Sequence, residues 1–97
     1  MDSGGESLEL GKVIGSVWAT KKDENLNGLK LMLIKNMNEY ERLNERITVA
    51  ADIVGAGVGD TVLIVRGGSA RYAIQSSDTP IDAAIIGIVD SIEVLKS

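Results

Sequence analysis

Alternating apolar and polar positions from residue 8 onward predict a chain built mainly of β-strands. In the first stretch, 8–20, Val13 and Val17 fall on one face of a strand, and Gly11 and Gly15 predict bends or bulges in a curved sheet. Four more strands are predicted at residues 29–35, 46–54, 61–66 and 81–95, and the last of them is the longest.

Polar and glycine-rich segments separate these strands. Residues 21–28 are typical of a turn, and residues 36–46 predict a charged loop because they lack an apolar stripe. Residues 67–75 predict a short helix in which Ser69 caps the amides that follow it. Pro80 marks the turn before the last strand.

The order of these elements predicts a mainly β fold, a small five-stranded and partly closed barrel with one short helix between the fourth and fifth strands. With 97 residues, one domain spanning 8–97 is expected behind a flexible leader, residues 1–7. The second, fourth and last strands are apolar on both faces, whereas a barrel core covers only one. A neighbouring subunit is therefore expected to cover the other face.

The sequence contains neither cysteine nor histidine. This excludes disulfides, thiolate nucleophiles and zinc–sulfur sites, and it removes the commonest general base and metal ligand. We therefore expect no enzyme activity, no cofactor and no metal.

Charge and hydropathy disfavour two further classes of function, nucleic-acid binding and membrane insertion. The formal net charge is −4 and only three aromatic residues are present, which disfavours binding to nucleic acid. No apolar run approaches the roughly 18 residues of a membrane span, and the start of the chain lacks a secretory signal. A cytoplasmic location is the default expectation. The alternative function is an OB-type nucleic-acid-binding module, which would need a basic groove.

The GAGVGD run, residues 55–60, invites comparison with a dinucleotide-binding fingerprint. That motif requires a helix after the glycines, but here a strand is predicted to begin at Thr61. A tight turn is favoured instead, with a positive φ at Gly57.

Two further groups of residues have a chemical and a structural interpretation. Ser69 and Arg71 could form an anion site, but a capped helix whose Arg71 pairs with a carboxylate of a neighbouring subunit is favoured. Several aspartates could act as acids or cation ligands, but they are more typical of strand ends and turns. They are Asp52, Asp60, Asp78, Asp82 and Asp90.

Four segments in sequence order resemble the EutN/CcmL family of microcompartment vertex proteins. They are LGKVIGSVWATKK at 10–22, GLKLMLIK at 28–35, ADIVGAGVGDTVLIVRGGSAR at 51–71 and DTPIDAAIIGIVDSIEV at 78–94. The resemblance implies an OB-like barrel that assembles into a cyclic homo-pentamer. It also implies a structural role without catalysis, in which pentamers close the five-fold vertices of carboxysome-like shells tiled by hexameric shell proteins.

The resemblance further implies that Gly55–Asp60 and Pro80–Ala84 are assembly segments near the pentamer edges. Together with Ser69 and Arg71, they make up the candidate interface residues. These are Gly55, Ala56, Gly57, Gly59, Asp60, Ser69, Arg71, Pro80, Ile81, Asp82, Ala83 and Ala84.

A pentamer would carry a formal charge of −20, five times −4. Because salt screens repulsion between exposed charges, we expect the ring to become more stable from low to moderate ionic strength. Light scattering at one protein concentration measures this. A ring stability that does not change with salt would show that net charge contributes little.

Overall fold

The computed structural model describes residues 8–18, 28–75 and 81–95. The predicted leader, Pro80, Asp78 and most of the predicted 21–28 turn lie outside these ranges. The described elements follow one another as β1 (Leu8–Ser16), β2 (Lys30–Met37), β3 (Leu43–Asp52), β4 (Thr61–Arg66), α1 (Gly67–Ile74) and β5 (Ala83–Ile88).

The five strands close into a barrel in the order β1-β2-β3-β5-β4, which confirms the predicted fold class. All neighbouring strands are antiparallel except β3 and β5, which run parallel. The β3–β5 pairing contains only two residue pairs, Ala51 with Ala84 and Asp52 with Ile85. This junction is therefore the shortest hydrogen-bonded connection around the barrel.

Inward-facing side chains fill the barrel with a single apolar core. Ile34 of β2 lies opposite Val13 of β1 on one side and Thr48 of β3 on the other, and it is fully buried. The rest of the core cluster is Val13, Met32, Ala50, Ala56, Val62, Ile64, Ala83 and Ile85. The register of β1 against β2 shifts between Val13 and Gly15, where the sequence indicated a bulge.

The connection between β2 and β3 is shorter than predicted. Asn38 Oδ1 accepts hydrogen bonds from the amides of Tyr40 (2.9 Å) and Arg42 (3.1 Å), which closes a tight turn. β3 consequently begins at Leu43, opposite Met37, and is the longest strand, with 10 residues. The prediction of a loop through residue 46 was wrong. Because the Asn38 side chain closes the turn by residue 42, the connection needs fewer residues than predicted.

The predicted helix cap was also wrong. α1 begins at Gly67, its N-cap is Arg66, and no side chain caps it. Ser69 lies inside the first turn, because the hydrogen bond from Gly67 N to Asp82 O (2.9 Å) fixes the helix start two residues earlier. At the other end, Gln75 adopts the left-handed conformation and donates to Tyr72 O.

The last strand is shorter than predicted, since β5 ends at Ile88 rather than at Leu95. Val89 N still donates to Thr61 O (2.8 Å), and residues 90–95 then continue without strand pairing. β5 is therefore one of the two shortest strands described, with six residues.

Gly11 permits the close approach of β1 to β2. A Cβ at this position would overlap Ile34 Cγ2, so we expect Gly11→Ala to lower the free energy of unfolding by about 1–3 kcal/mol. Gly15→Ala is the matched control, because its Cβ would meet nothing closer than Leu33 Cβ at 4.0 Å. Urea unfolding at equal protein concentration compares them, and equal losses would contradict the steric explanation.

Candidate assembly interface

The segment between β3 and β4, residues 53–60, is called here the glycine loop, and two aspartates hold its shape. Asp52 Oδ1 accepts from the amides of Val54 (3.0 Å) and Gly55 (3.1 Å). Asp60 Oδ2 accepts from Gly57 N (2.8 Å), while Asp60 N donates to Gly57 O (3.0 Å). These carboxylates stabilise turns, which is the structural role that the sequence favoured for them.

The glycine loop also seals one end of the barrel. Ala56 is fully buried, and its carbonyl accepts a hydrogen bond from Lys30 Nζ at 3.1 Å. The same ammonium lies 3.6 Å from the buried Oδ2 of Asp52. On the far side, Gly59 N donates to Val13 O (2.8 Å) and Val13 N donates to Asp60 O (2.9 Å). Contacts to β1, β2 and β3 thus fix the loop in one position.

The left-handed conformations in this loop differ from the prediction. Gly55 (φ +84°) and Gly59 (φ +98°) have positive φ, whereas Gly57 does not. The prediction for Gly57 was wrong. Its amide donates a hydrogen bond to Asp60 Oδ2, and the positive φ angles lie at Gly55 and Gly59 instead.

The opposite end of the barrel contains a closed polar circuit that sequence reasoning missed. Asn36 Nδ2 donates to Glu9 Oε1 (2.6 Å), and Arg66 Nε donates to Glu9 Oε2 (2.9 Å). Arg66 Nη2 donates to Thr48 Oγ1 (2.6 Å), which in turn donates to Asn36 Oδ1 (3.2 Å). One residue from each of β1 to β4 takes part. The circuit could have been suspected from the sequence, because each of these polar residues falls at an inward-facing position of its strand.

The described candidate residues fall into three groups by burial. Ala56, Ala83 and Ala84 are buried within their own chain, so their side chains shape the segments from inside. Gly55, Gly59 and Asp82 are exposed, and the rest of the described candidates are half-buried: Gly57, Asp60, Ser69, Arg71 and Ile81. The contact of the glycine loop and of the start of β5 with other subunits stays a prediction.

Large apolar side chains are exposed on β3, on β1 (Leu8 and Ile14) and on β5 (Ile86 and Ile88), which agrees with the expectation for the last strand but not with that for the second and fourth. Leu43, Ile47 and Val49, called here the β3 outer face, point away from the core, and Ile47 is 53% exposed. Leu31 and Met37 of β2 are instead buried within the chain. Trp18 is 92% exposed, which excludes a core role and fits an interface.

Within the described ranges, no cluster of three or more acidic side chains could hold a metal ion. No described helix is long and apolar enough to cross a membrane.

Comparison with known proteins identifies the family. The family model described as "Ethanolamine utilisation protein EutN/carboxysome" matches residues 8–90, which include every described strand and the helix. The chain belongs to the EutN/CcmL family.

Characterised family members align with nearly the whole chain. The carboxysome shell vertex protein CcmL of Synechocystis is 41% identical over 87 residues, covering 90% of this chain and 87% of that protein. The bacterial microcompartment shell vertex protein GrpN of Rhodospirillum rubrum is 42% identical, covering 92% of this chain and 100% of its own length.

Solved structures of family members share the fold. Gloeobacter violaceus CcmL superposes with a TM-score of 0.83 at 37% identity, covering 89% of both chains. The pentameric shell protein GrpN from Rhodospirillum rubrum gives 0.80 at 41% identity, covering 91% of this chain and 99% of that one.

The glycine loop generates a test at Gly59. Because a side chain at φ +98° is strained, we expect Gly59→Ala to reduce the free energy of unfolding by about 1–2 kcal/mol. Gly57→Ala is the control, since its Cβ would lie 3.9 Å from Asp60 Oδ2 in an ordinary conformation. Thermal unfolding of both variants distinguishes them. A larger loss for the Gly57 variant would contradict the assigned conformations.

Proposed function

We propose that this chain is a structural subunit of a bacterial microcompartment shell, where five copies form the vertex. The observation that carries the proposal is the match along nearly the full chain to shell vertex proteins of carboxysomes and other microcompartments. The pentameric GrpN structure supports the number of copies. A place in the shell agrees with the cytoplasmic location expected from the sequence.

The exposed apolar surface supports assembly on physical grounds. Leu43, Ile47 and Val49 lie on one strand face and are 45%, 53% and 37% exposed. A chain of 97 residues has a small core, so burying this face between copies would add stability. A cyclic ring covers the same face on every copy.

The glycine loop and the start of β5 are proposed as the segments that meet neighbouring shell proteins, including hexameric ones. The loop supports this role because its two aspartates and Lys30 fix its backbone before any partner binds. A surface that is ordered in advance loses less conformational entropy on binding. Arg71, half-buried on α1, is proposed to pair with a carboxylate of a neighbouring copy.

A structural rather than catalytic role completes the proposal. It is supported by the lack of both histidine and cysteine in the sequence and by the turn-forming contacts of Asp52 and Asp60. The hydrogen bonds of Asp52 and Asp60 stabilise the glycine loop, and those of Glu9, Asn36, Thr48 and Arg66 connect strands β1 to β4.

Solution mass tests the assembly. Native mass spectrometry of the full chain should show a species of about 52 kDa, five times 10.3 kDa. A monomer at micromolar concentration would overturn the proposed vertex role.

A matched pair of variants tests the β3 outer face. Ile47→Asp should weaken the ring by at least about tenfold in dissociation constant, because a carboxylate would be buried against apolar surface. Asn44→Asp adds the same charge on the other face of β3, where the new carboxylate can still accept from Arg46 N as Asn44 does (2.8 Å). Equal weakening by both variants would place the ring contact elsewhere.

A further inference from the structure

Residues 89–95, called here the terminal segment, have the pattern of a strand but lack a partner. Ile92 and Val94 are half-buried, whereas Glu93 and Leu95 are exposed, so burial alternates with the period of a β-strand. After the hydrogen bond from Val89 N to Thr61 O, no strand pairing holds the segment within the described chain. Beyond Val89, no other strand of the described chain uses its backbone donors and acceptors.

β3 offers a complementary set of unused backbone groups. One edge of β3 pairs with β2 from Leu43 to Asp52. The other edge pairs with β5 only at Ala51 and Asp52, so residues 43–50 have no strand beside them in the described structure. An open strand edge of this length is a template for an added strand.

The terminal segment cannot reach that edge in its own chain. Ala84 lies opposite Ala51 in a parallel pair, so the two strands advance in the same direction. Ile47 precedes this pair and Val89 follows it, which separates the two positions by roughly 30 Å along the strands. Val94 can extend at most about 18 Å from Val89.

We propose that the terminal segment of each copy adds as a strand to the open β3 edge of the next copy. This inference rests on the proposed function, since it assigns the contact that closes the ring. A cyclic ring needs a heterologous contact made of two different, complementary surfaces on every subunit. An unpaired segment at one end of the barrel and an unpaired edge toward the other end meet that requirement.

The added strand would contribute both affinity and register. Main-chain hydrogen bonds between Ile92–Leu95 and the 43–50 edge would satisfy groups that are unpaired in the single chain. Side chains of the segment would also lie beside Ile47 and Val49, so the strand would extend the apolar cover over the β3 outer face.

Disulfide trapping tests the inference directly, because the chain has no native cysteine. Double variants combine Val94→Cys or Leu95→Cys with Ile47→Cys or Val49→Cys, which covers both faces of the added strand. Directly paired strands bring opposite Cα atoms to about 4.5–5.5 Å, within the range of about 4.4–6.8 Å that a disulfide needs. After mild oxidation, denaturing gels should show a ladder of covalent species up to the pentamer for at least one combination.

Leu10→Cys with Val94→Cys is the control. Leu10 is paired on both sides, to Met37 and to Leu63, so no further strand can lie beside it. This variant and each single-cysteine variant should give no ladder. A ladder of equal intensity in the Leu10 control would overturn the proposal.

Two other results would also count against it. A chain that is pentameric by native mass spectrometry but gives no ladder in any combination would overturn the added strand and leave the vertex role intact. A monomeric parent chain would overturn both.

Truncation after Asp90 provides a second measurement, with an expected loss of at least tenfold in ring affinity, while truncation after Leu95 should have little effect. Equal affinity after both truncations would refute the added strand.

Discussion

The hydrogen-bonded circuit through Glu9, Asn36, Thr48 and Arg66 compensates for the weakest part of the barrel. β3 and β5 share only two residue pairs, and β5 begins at Ala83, opposite Arg66. Beyond that point, no described strand fills the space between β3 and β4, and the hydrogen bond from Arg66 to Thr48 spans it. Because the ion pair with Glu9 also orients Arg66, this closure combines charge with geometry.

The two barrel ends are sealed by different means. At the circuit end, side chains from four strands satisfy one another. At the other end, the backbone of the glycine loop enters the barrel at Ala56, and Lys30 neutralises the buried Asp52. Removing Lys30 would leave the buried Asp52 carboxylate without its ion-pair partner, whereas the Lys30 side chain is itself 56% exposed. Contacts at both ends therefore fix the strands around the apolar core, and the outward-facing side chains of those strands are held in fixed positions as a result.

Much of the fold follows from alternation along the sequence. Period-two patterns predicted five strands and the barrel, and the GAGVGD run predicted the turn into β4. The errors have local causes. The Asn38 side chain closes the turn between β2 and β3, which shortens it. The helix begins at Gly67, before Ser69, and the amide of Gly57 donates a hydrogen bond to Asp60. The polar circuit was missed because a strand pattern predicts which face a residue occupies but not which distant residue it meets. The end of β5 depends on a pairing partner, which no pattern within one strand can supply.

The order of the strands around the barrel also sets when a copy becomes competent to assemble. β1, β2 and β3 pair as sequential neighbours, so they can form while later residues are still being synthesised. β4 must then return to β1 across more than half of the chain, and β5 completes the closure last. Such long-range pairings are slow steps in folding. Because β5 lies between β3 and β4, the barrel cannot close before β5 has been synthesised.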